Sequence, residues 1–452
     1  MSAAGGLNIE QQDDGPIGLA SPVPDMPLGA HELLVFMLQL GLLLGLAVLL
    51  GRLAVRLRMP AIVGELTVGV LLGPSLLNHL APALKFTQLH LLDAVGQVGV
   101  LLLVAITGIQ LDFGLVRRRG ATAVKVSVAG LVVPLALGVG AGFLLPASLL
   151  VEGTSVTVFA LFLGVATCVS AIPVIAKTLT DMKLLHRDVG QLCLTAGMVD
   201  DAFGWFMLSV VSAMATTGVR TGQIVLSLVY LAALVPFALW VGRPLVRWTM
   251  RAATRSAEPG PAVAAAVVLV LLAAAGTHAL GLEAILGAFV CGALIGRSGH
   301  ADAAWLAPLR TVVLSVLAPL FFATAGLRMD LTLLSRPDVL AAAGVVLGVA
   351  IVGKFLGAYL GALLSRMGAW EAFALGAGMN ARGVIEVIVA MVGLRIGIID
   401  TAMYTIVIVV AIVTSLMAPP ILRVAMRRVE LTAEERLRRA EQEQLVEPGR
   451  RG

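Results

Sequence analysis

The chain has 452 residues, of which 59% are hydrophobic and only 13% charged, with a formal net charge of +5. Soluble globular chains carry about 25% Asp, Glu, Lys and Arg, so an ordinary cytosolic enzyme, a secreted disulfide scaffold and a disordered protein are all excluded. What remains is an all-α polytopic membrane protein, because a hydrocarbon core about 30 Å thick takes about 20 apolar residues per crossing and such stretches recur from Leu33 to Met426.

In chain order, residues 1–30 hold Pro16, Pro22, Pro24 and Pro27 among acids, with no basic region before an apolar core. They read as a flexible tail, not a signal peptide. The membrane domain, 31–426, divides into thirteen predicted spans at about 33–54, 60–78, 88–110, 121–146, 155–180, 187–216, 222–245, 261–280, 282–297, 304–328, 338–364, 369–393 and 401–426. Residues 427–452 form a short cytoplasmic tail rich in Arg and Glu, expected as a solvated helix. Cys168, Cys193 and Cys291 each lie inside apolar runs, so buried packing is expected rather than disulfides. Most basic residues fall in one set of alternate loops and the C-terminal tail. The opposite set holds only Lys85, Arg220, Arg328, Arg336 and Arg395. Orientation in the membrane explains this better than nucleic acid, for which no motif is present. It places the N-terminus outside and the C-terminus in the cytoplasm of a cell (plasma or inner) membrane.

The chain also repeats itself. Pro60-Ala61-Ile62-Val63-Gly64, followed by Gly69 and Gly73, matches Glu283-Ala284-Ile285-Leu286-Gly287, followed by Gly292 and Gly296, at an offset of 223 residues. Gly108-Ile109-Gln110-Leu111-Asp112 matches Gly326-Leu327-Arg328-Met329-Asp330. The loop charges put Pro60 and Asp112 inside but Glu283 and Asp330 outside, so the halves are inverted five-helix repeats, a transporter signature with a site at the midplane. Glycines alone would only report helix packing; the paired Asp112 and Asp330 at opposite faces favour the repeat.

Chemistry concentrates in four spans. Pro173 follows Thr167-Cys168-Val169-Ser170-Ala171-Ile172 in the fifth span and predicts a break, since proline lacks a backbone donor and displaces the carbonyl four residues earlier. Asn380, Arg382 and Gly383 interrupt the twelfth span in the corresponding place. Two broken helices in equivalent positions offer freed carbonyls and half-helix ends to an ion. In the sixth span, Asp200 and Asp201 are adjacent carboxylates, each costing about 2.5–3.5 kcal/mol in a membrane helix. Neighbours on a helix point about 100° apart, so one can face a cavity while the other meets a cation, for which Lys354 in the eleventh span is the candidate. Arg382 and Glu386, four residues apart, suit an internal pair or a direct part in transport. Glu65 and Glu283 lie near span starts, where hydration is expected. His186, in a charged loop, is expected to be solvated.

These residues resemble the cation:proton antiporter-2 family, including Kef-type bacterial members and plant cation/proton exchangers. The resemblance covers about residues 33–426. It is most specific at Ser170-Ala171-Ile172-Pro173-Val174-Ile175-Ala176-Lys177, at Lys183-Leu184-Leu185, through Asp188-Val189-Gly190 into Asp200-Asp201, and at Asn380-Ala381-Arg382-Gly383-Val384-Ile385-Glu386. It implies a homodimer, with crossed broken helices in a core at about 121–216 and 338–426 and the other helices forming a panel. It also implies exchange of Na⁺ or K⁺ for protons, with the cation or proton at Asp201, Asp200 paired with Lys354, and Thr167 and Ser170 as further cation contacts. Asp200 stands where plant members often have Asn and Kef-type ones Gln, which resembles the electrogenic subgroup. The short tail sets the chain apart from Kef-type proteins with a nucleotide-binding domain, and no cofactor is called for. The competing expectations are a cation-coupled solute transporter or channel on the same fold and a membrane enzyme using the Asp pair as general acid. For the enzyme, no nucleophile–base pair or phosphate loop is present.

Overall fold

A computed structural model describes residues 29–57, 59–75, 89–111, 113–216, 221–256, 258–299, 303–432 and 434–436. Most of the N-terminal tail, Asp112 of the second repeat match, and residues 437–452 of the C-terminal tail lie outside the described residues. Within a bilayer every backbone polar group must be satisfied internally, which leaves the helix as the form available to these apolar segments. The helices are α1 Ala30–Arg56, α2 Ala61–Leu72, α3 Leu89–Ile109, α4 Phe113–Leu144, α5 Val156–Cys168, α6 Ile172–Asp181 and α7 Asp188–Thr216. Then follow α8 Thr221–Phe237, α9 Arg243–Ala253, α10 Gly260–Ala279, α11 Ala284–Gly296, α12 Ala303–Val312, α13 Ala318–Gly326, α14 Pro337–Leu364, α15 Ala369–Met379, α16 Val384–Arg395 and α17 Thr401–Met426. A π-helical turn joins α8 to α9 and another joins α12 to α13. The three cysteines are free and buried.

Among the described residues, nine helices are long and apolar enough to cross a membrane, and α15 with α16, bent by 43°, makes a tenth. All thirteen expected segments fall on helices, but length and apolarity alone establish ten crossings. The difference lies in α2, with 12 residues, and in α5 and α11, with 13 each. At 1.5 Å per residue these measure about 18–20 Å, short of the hydrocarbon thickness.

The repeat is visible in how α2 and α11 pack. A Cβ on Gly64 would stand 2.1 Å from the Leu50 carbonyl of α1, and one on Gly287 would stand 2.3 Å from the Ala273 carbonyl of α10. Both members of the second pair are displaced from the first by the repeat offset, so the correspondence extends to the helix preceding each match. On their other sides the short helices exchange partners. Gly69 of α2 lies against the Ala323 carbonyl of α13, while Gly292 of α11 lies against the Ala105 carbonyl of α3, each leaving only 2.1 Å for a Cβ. Absent side chains let the backbones approach this closely. The second helix of each half is therefore seated on the third helix of the other.

The remaining helices, α4 to α7 and α14 to α17, pack chiefly on one another. Contact between the two groups runs mainly through α7 against α8 and α11, with a smaller contact of α13 on α16. Inside the second group the interruptions between α5 and α6 and between α15 and α16 meet. The Ala171 amide donates to the Ala381 carbonyl (3.2 Å), and the Ser170 hydroxyl donates to the Met379 carbonyl (2.8 Å). Pro173 sits in the first turn of α6, where its missing amide proton costs nothing, so the chain opens just before it, at 169–171.

Candidate functional site

Asp200 and Asp201 lie midway along α7 and are fully buried against this crossing. Asp200 Oδ2 accepts from Lys354 Nζ of α14 at 2.5 Å. The same ammonium donates to the carbonyls of Cys168 (2.6 Å) and Gly130 (3.0 Å), which uses all three of its protons. Both carbonyls are free for a local reason. Cys168 ends α5 at the break, and Gly130 is four residues before Pro134, which has no amide to donate back. Sequence reasoning missed Gly130, although a proline within an apolar span, counted back four, marks it.

Arg382, in the second interruption, is also fully buried. Its guanidinium donates to the carbonyls of Thr167 (2.5 Å), Ala350 (2.9 Å) and Ala166 (3.3 Å), and lies 3.6 Å from Glu386 Oε1. Lys354 and Arg382 thus both terminate α5, where three unpaired carbonyls and the negative end of the helix dipole attract positive charge. Glu386 caps the opposite element: its Oε2 accepts from the Gly383 amide (2.8 Å) at the start of α16. Gly383 has φ +153°, and a Cβ there would meet Val174 of α6 at 2.9 Å, so the second break needs glycine twice over. Asn380 donates to the Ile351 carbonyl (3.1 Å), and Ser415 of α17, another residue not foreseen, donates to the Arg382 carbonyl.

Asp201 differs from its neighbour. No side chain donates a hydrogen bond to either of its oxygens. Around it stand Asp200, Glu386, Lys354 and the Ile172 backbone at the start of α6. Thr167, expected near the cation, donates its hydroxyl proton to the carbonyls of Leu163 (2.9 Å) and Gly164 (3.1 Å) of its own helix, and its carbonyl accepts from Arg382. Two cavities approach from opposite ends. One of about 230 Å³ is lined by Asp93, Glu283, Arg328 and Arg395 and reaches Ile388 of α16. The other, about 510 Å³, is lined by Pro60, Lys177 and Arg423 and reaches Val174 of α6. Asp201 lines neither.

A model of the transmembrane sodium/hydrogen exchanger matches residues 43–428. The chain belongs to the sodium/hydrogen exchanger family. It is a family of transporters, not of enzymes. The Na⁺/H⁺ antiporter NhaS4 of Synechocystis is 30% identical over 401 residues, covering 87% of this chain and 98% of that protein. Cation/H⁺ antiporter 18 of Arabidopsis thaliana is also 30% identical, over 91% of this chain but 50% of its own, so this exchanger spans about half of that plant relative. In fold it is similar to the sodium proton antiporter MjNhaP1 of Methanocaldococcus jannaschii, with a TM-score of 0.66 over 87% of this chain and 99% of that one, at 18% identity.

Three expectations of hydration need correcting in this exchanger. Glu65 is buried in α2, at 9% exposure. Glu283 is 5% exposed with both oxygens bonded, not hydrated at a span start. His186 is 9% exposed. Its neighbour Arg187 donates to the Val429 and Glu430 carbonyls (3.0 Å each) and pairs with Glu435 (3.2 Å). Glu435 in turn accepts the Asp188 amide (2.7 Å) at the start of α7. Burial pushes the Glu435 carboxyl up, but the amides of Asp188 and Thr432 together with Arg187 outweigh it and hold the group below its ordinary value.

Proposed function

We infer that this protein exchanges a monovalent cation, Na⁺ or K⁺, for protons across the membrane, and that Asp201 is the group for which the two compete. The observation that carries this reading is the charge balance at the crossing. Three fully buried carboxylates, Asp200, Asp201 and Glu386, stand with two fully buried cations, Lys354 and Arg382, and the carboxylate left without an ion pair or a side-chain hydrogen bond is Asp201. A bare carboxylate in such surroundings is costly. A proton or a monovalent cation removes that cost, and each excludes the other, which is the minimum an antiporter needs. Asp200 is held by Lys354 and Glu386 by the start of α16, so neither takes the cation. Thr167 and Ser170, with the carbonyls of the breaks, supply oxygens for the cation.

Transport then consists of α4–α7 and α14–α17 moving as a core against a panel made of the other helices, which carries the contact between two copies of the chain in a homodimer. Exchange is electrogenic, because the Asp200–Lys354 pair supplies a second group able to change its protonation. The N-terminus is outside and the C-terminus in the cytoplasm of the cell membrane. Proton-flux dequenching in inverted vesicles, run across Li⁺, Na⁺, K⁺ and Rb⁺ over a range of pH, tests the assignment. Cation-dependent proton release is expected, and cation conductance without proton movement would reject it. Proteoliposome exchange indifferent to an imposed potential would reject electrogenicity.

A further inference from the structure

Glu283 precedes α11 and ties together the two helix groups. Its backbone carbonyl accepts the Thr277 hydroxyl (3.3 Å), which fixes it to α10 within its own group. Its carboxylate is given wholly to the other group: Oε1 accepts the Ser212 hydroxyl of α7 at 2.5 Å, and Oε2 accepts Nη2 of Arg395, the last residue of α16, at 2.8 Å. Both partners stand at the far ends of elements that form the site. Ser212 is ~17 Å along α7 from Asp201 at 1.5 Å per residue, and α16 begins beside Glu386. Arg328 and Asp93 also pair across this cavity, but both belong to the panel group, so their bond shapes a wall without spanning the seam.

The opposite mouth has no such tie at the corresponding place. The repeat offset carries position 283 onto Pro60, which lines the larger cavity and has no side-chain donor or acceptor. We propose that Glu283 is a latch holding the two helix groups closed on its own face, and that every transport cycle must release its bonds to Ser212 and Arg395. The proposal rests on the antiport reading only in taking the groups to move against each other. A rigid displacement of α7 and α16 against α11 cannot preserve both bonds, and nothing replaces them at Pro60. The resting population is therefore biased toward closure on the Glu283 face, and the carboxylate, not the cavity's shape alone, sets that bias.

The test places a reporter beneath the latch. Ile388 lines that cavity and is 1% exposed. In a background with Cys168, Cys193 and Cys291 replaced by Ala, Ile388→Cys is labelled with a membrane-impermeant thiol reagent applied to the Glu283 face. Glu283→Gln and Arg395→Gln are each expected to raise the labelling rate about tenfold by shifting the population toward opening on that face. Unchanged labelling in both, with thermal melting showing folded protein, overturns the latch. If the single variants do not fold, the swapped pair Glu283→Arg with Arg395→Glu decides: slow labelling in a folded protein supports the latch, and fast labelling or failure to fold overturns it. Antiport is scored separately by cation-driven proton flux in the wild type. Failure there rejects the antiport reading, while the labelling rates still decide the latch.

Discussion

The two helix interruptions meet at one crossing and do unlike chemistry. Between α5 and α6 the chain opens with Val169, Ser170 and Ala171, none of them charged, and offers the carbonyls of Ala166, Thr167 and Cys168 to two cations. Between α15 and α16 it opens with Asn380, Ala381, Arg382 and Gly383, and itself supplies one of those cations. One break gathers the two cations on its carbonyls and the other supplies one of them. A repeat with equal chemistry in both halves would leave the crossing either crowded with positive charge or lacking it. The departure from symmetry allows three carboxylates to be buried with a single one unpaired.

The strongest way to break this comparison is to remove the unpaired charge. Asp201→Asn is expected to abolish cation-driven proton flux while the protein still folds, as judged by monodispersity and melting in detergent; retained exchange would show that the balance at the crossing is not what couples the ions. Next is the pair that the first break helps to hold through the Cys168 carbonyl. Replacing Lys354 by Ala leaves Asp200 buried and uncompensated, with an expected loss of about 3–5 kcal/mol. Asp200→Asn with Lys354→Met recovers most of it, so melting temperatures of the single and double variants measure the coupling. Arg382→Lys keeps the charge but gives up the planar fork that reaches three carbonyls. An intermediate loss of about 1–3 kcal/mol is expected, and wild-type stability would mean that the second break supplies charge alone. The smallest effect lies far from the crossing: Glu435→Ala removes the acceptor at the start of α7, at about 1 kcal/mol. Because the folded carboxyl titrates below its unfolded value, its contribution is present above the unfolded value and is lost as pH falls through the folded one. The Glu435→Ala variant should therefore match the wild type in acid and diverge from it toward neutral pH.

Much of this was legible in the residue letters. Apolar runs located the helices, the match of Pro60 to Glu283 located the repeat, and Asp200, Asp201, Lys354 and Arg382 stood out because charge inside a membrane is costly. The backbone half of the site was less legible. Gly130, Cys168 and Ala350 act through carbonyls, which every residue possesses, and only the proline four residues after Gly130 marks one of them. The letter of Thr167 names a hydroxyl but not where its proton goes: in a helix it readily returns to the preceding turn, and here it does, which leaves the oxygen lone pairs uncommitted by that bond. Glu283 and Arg395 are far apart in the chain, so nothing local announced their pairing. The crossing count went beyond what length supports because α2, α5 and α11 are apolar without being long.

The exchange of short helices between the halves carries a consequence for synthesis. On the ribosome α2 emerges early, yet the backbone it is seated on, around Ala323 to Gly326, is made about 250 residues later. At roughly 5–20 residues per second that is a wait of tens of seconds or less, during which a 12-residue segment must stay at the bilayer without its final neighbour. Val68, on the same helix, is 2% exposed and packs with Leu320, Ala323 and Leu327, so membrane-integrated chains arrested before Ala318 should leave a cysteine in its place open to labelling, and chains arrested after Met426 should protect it.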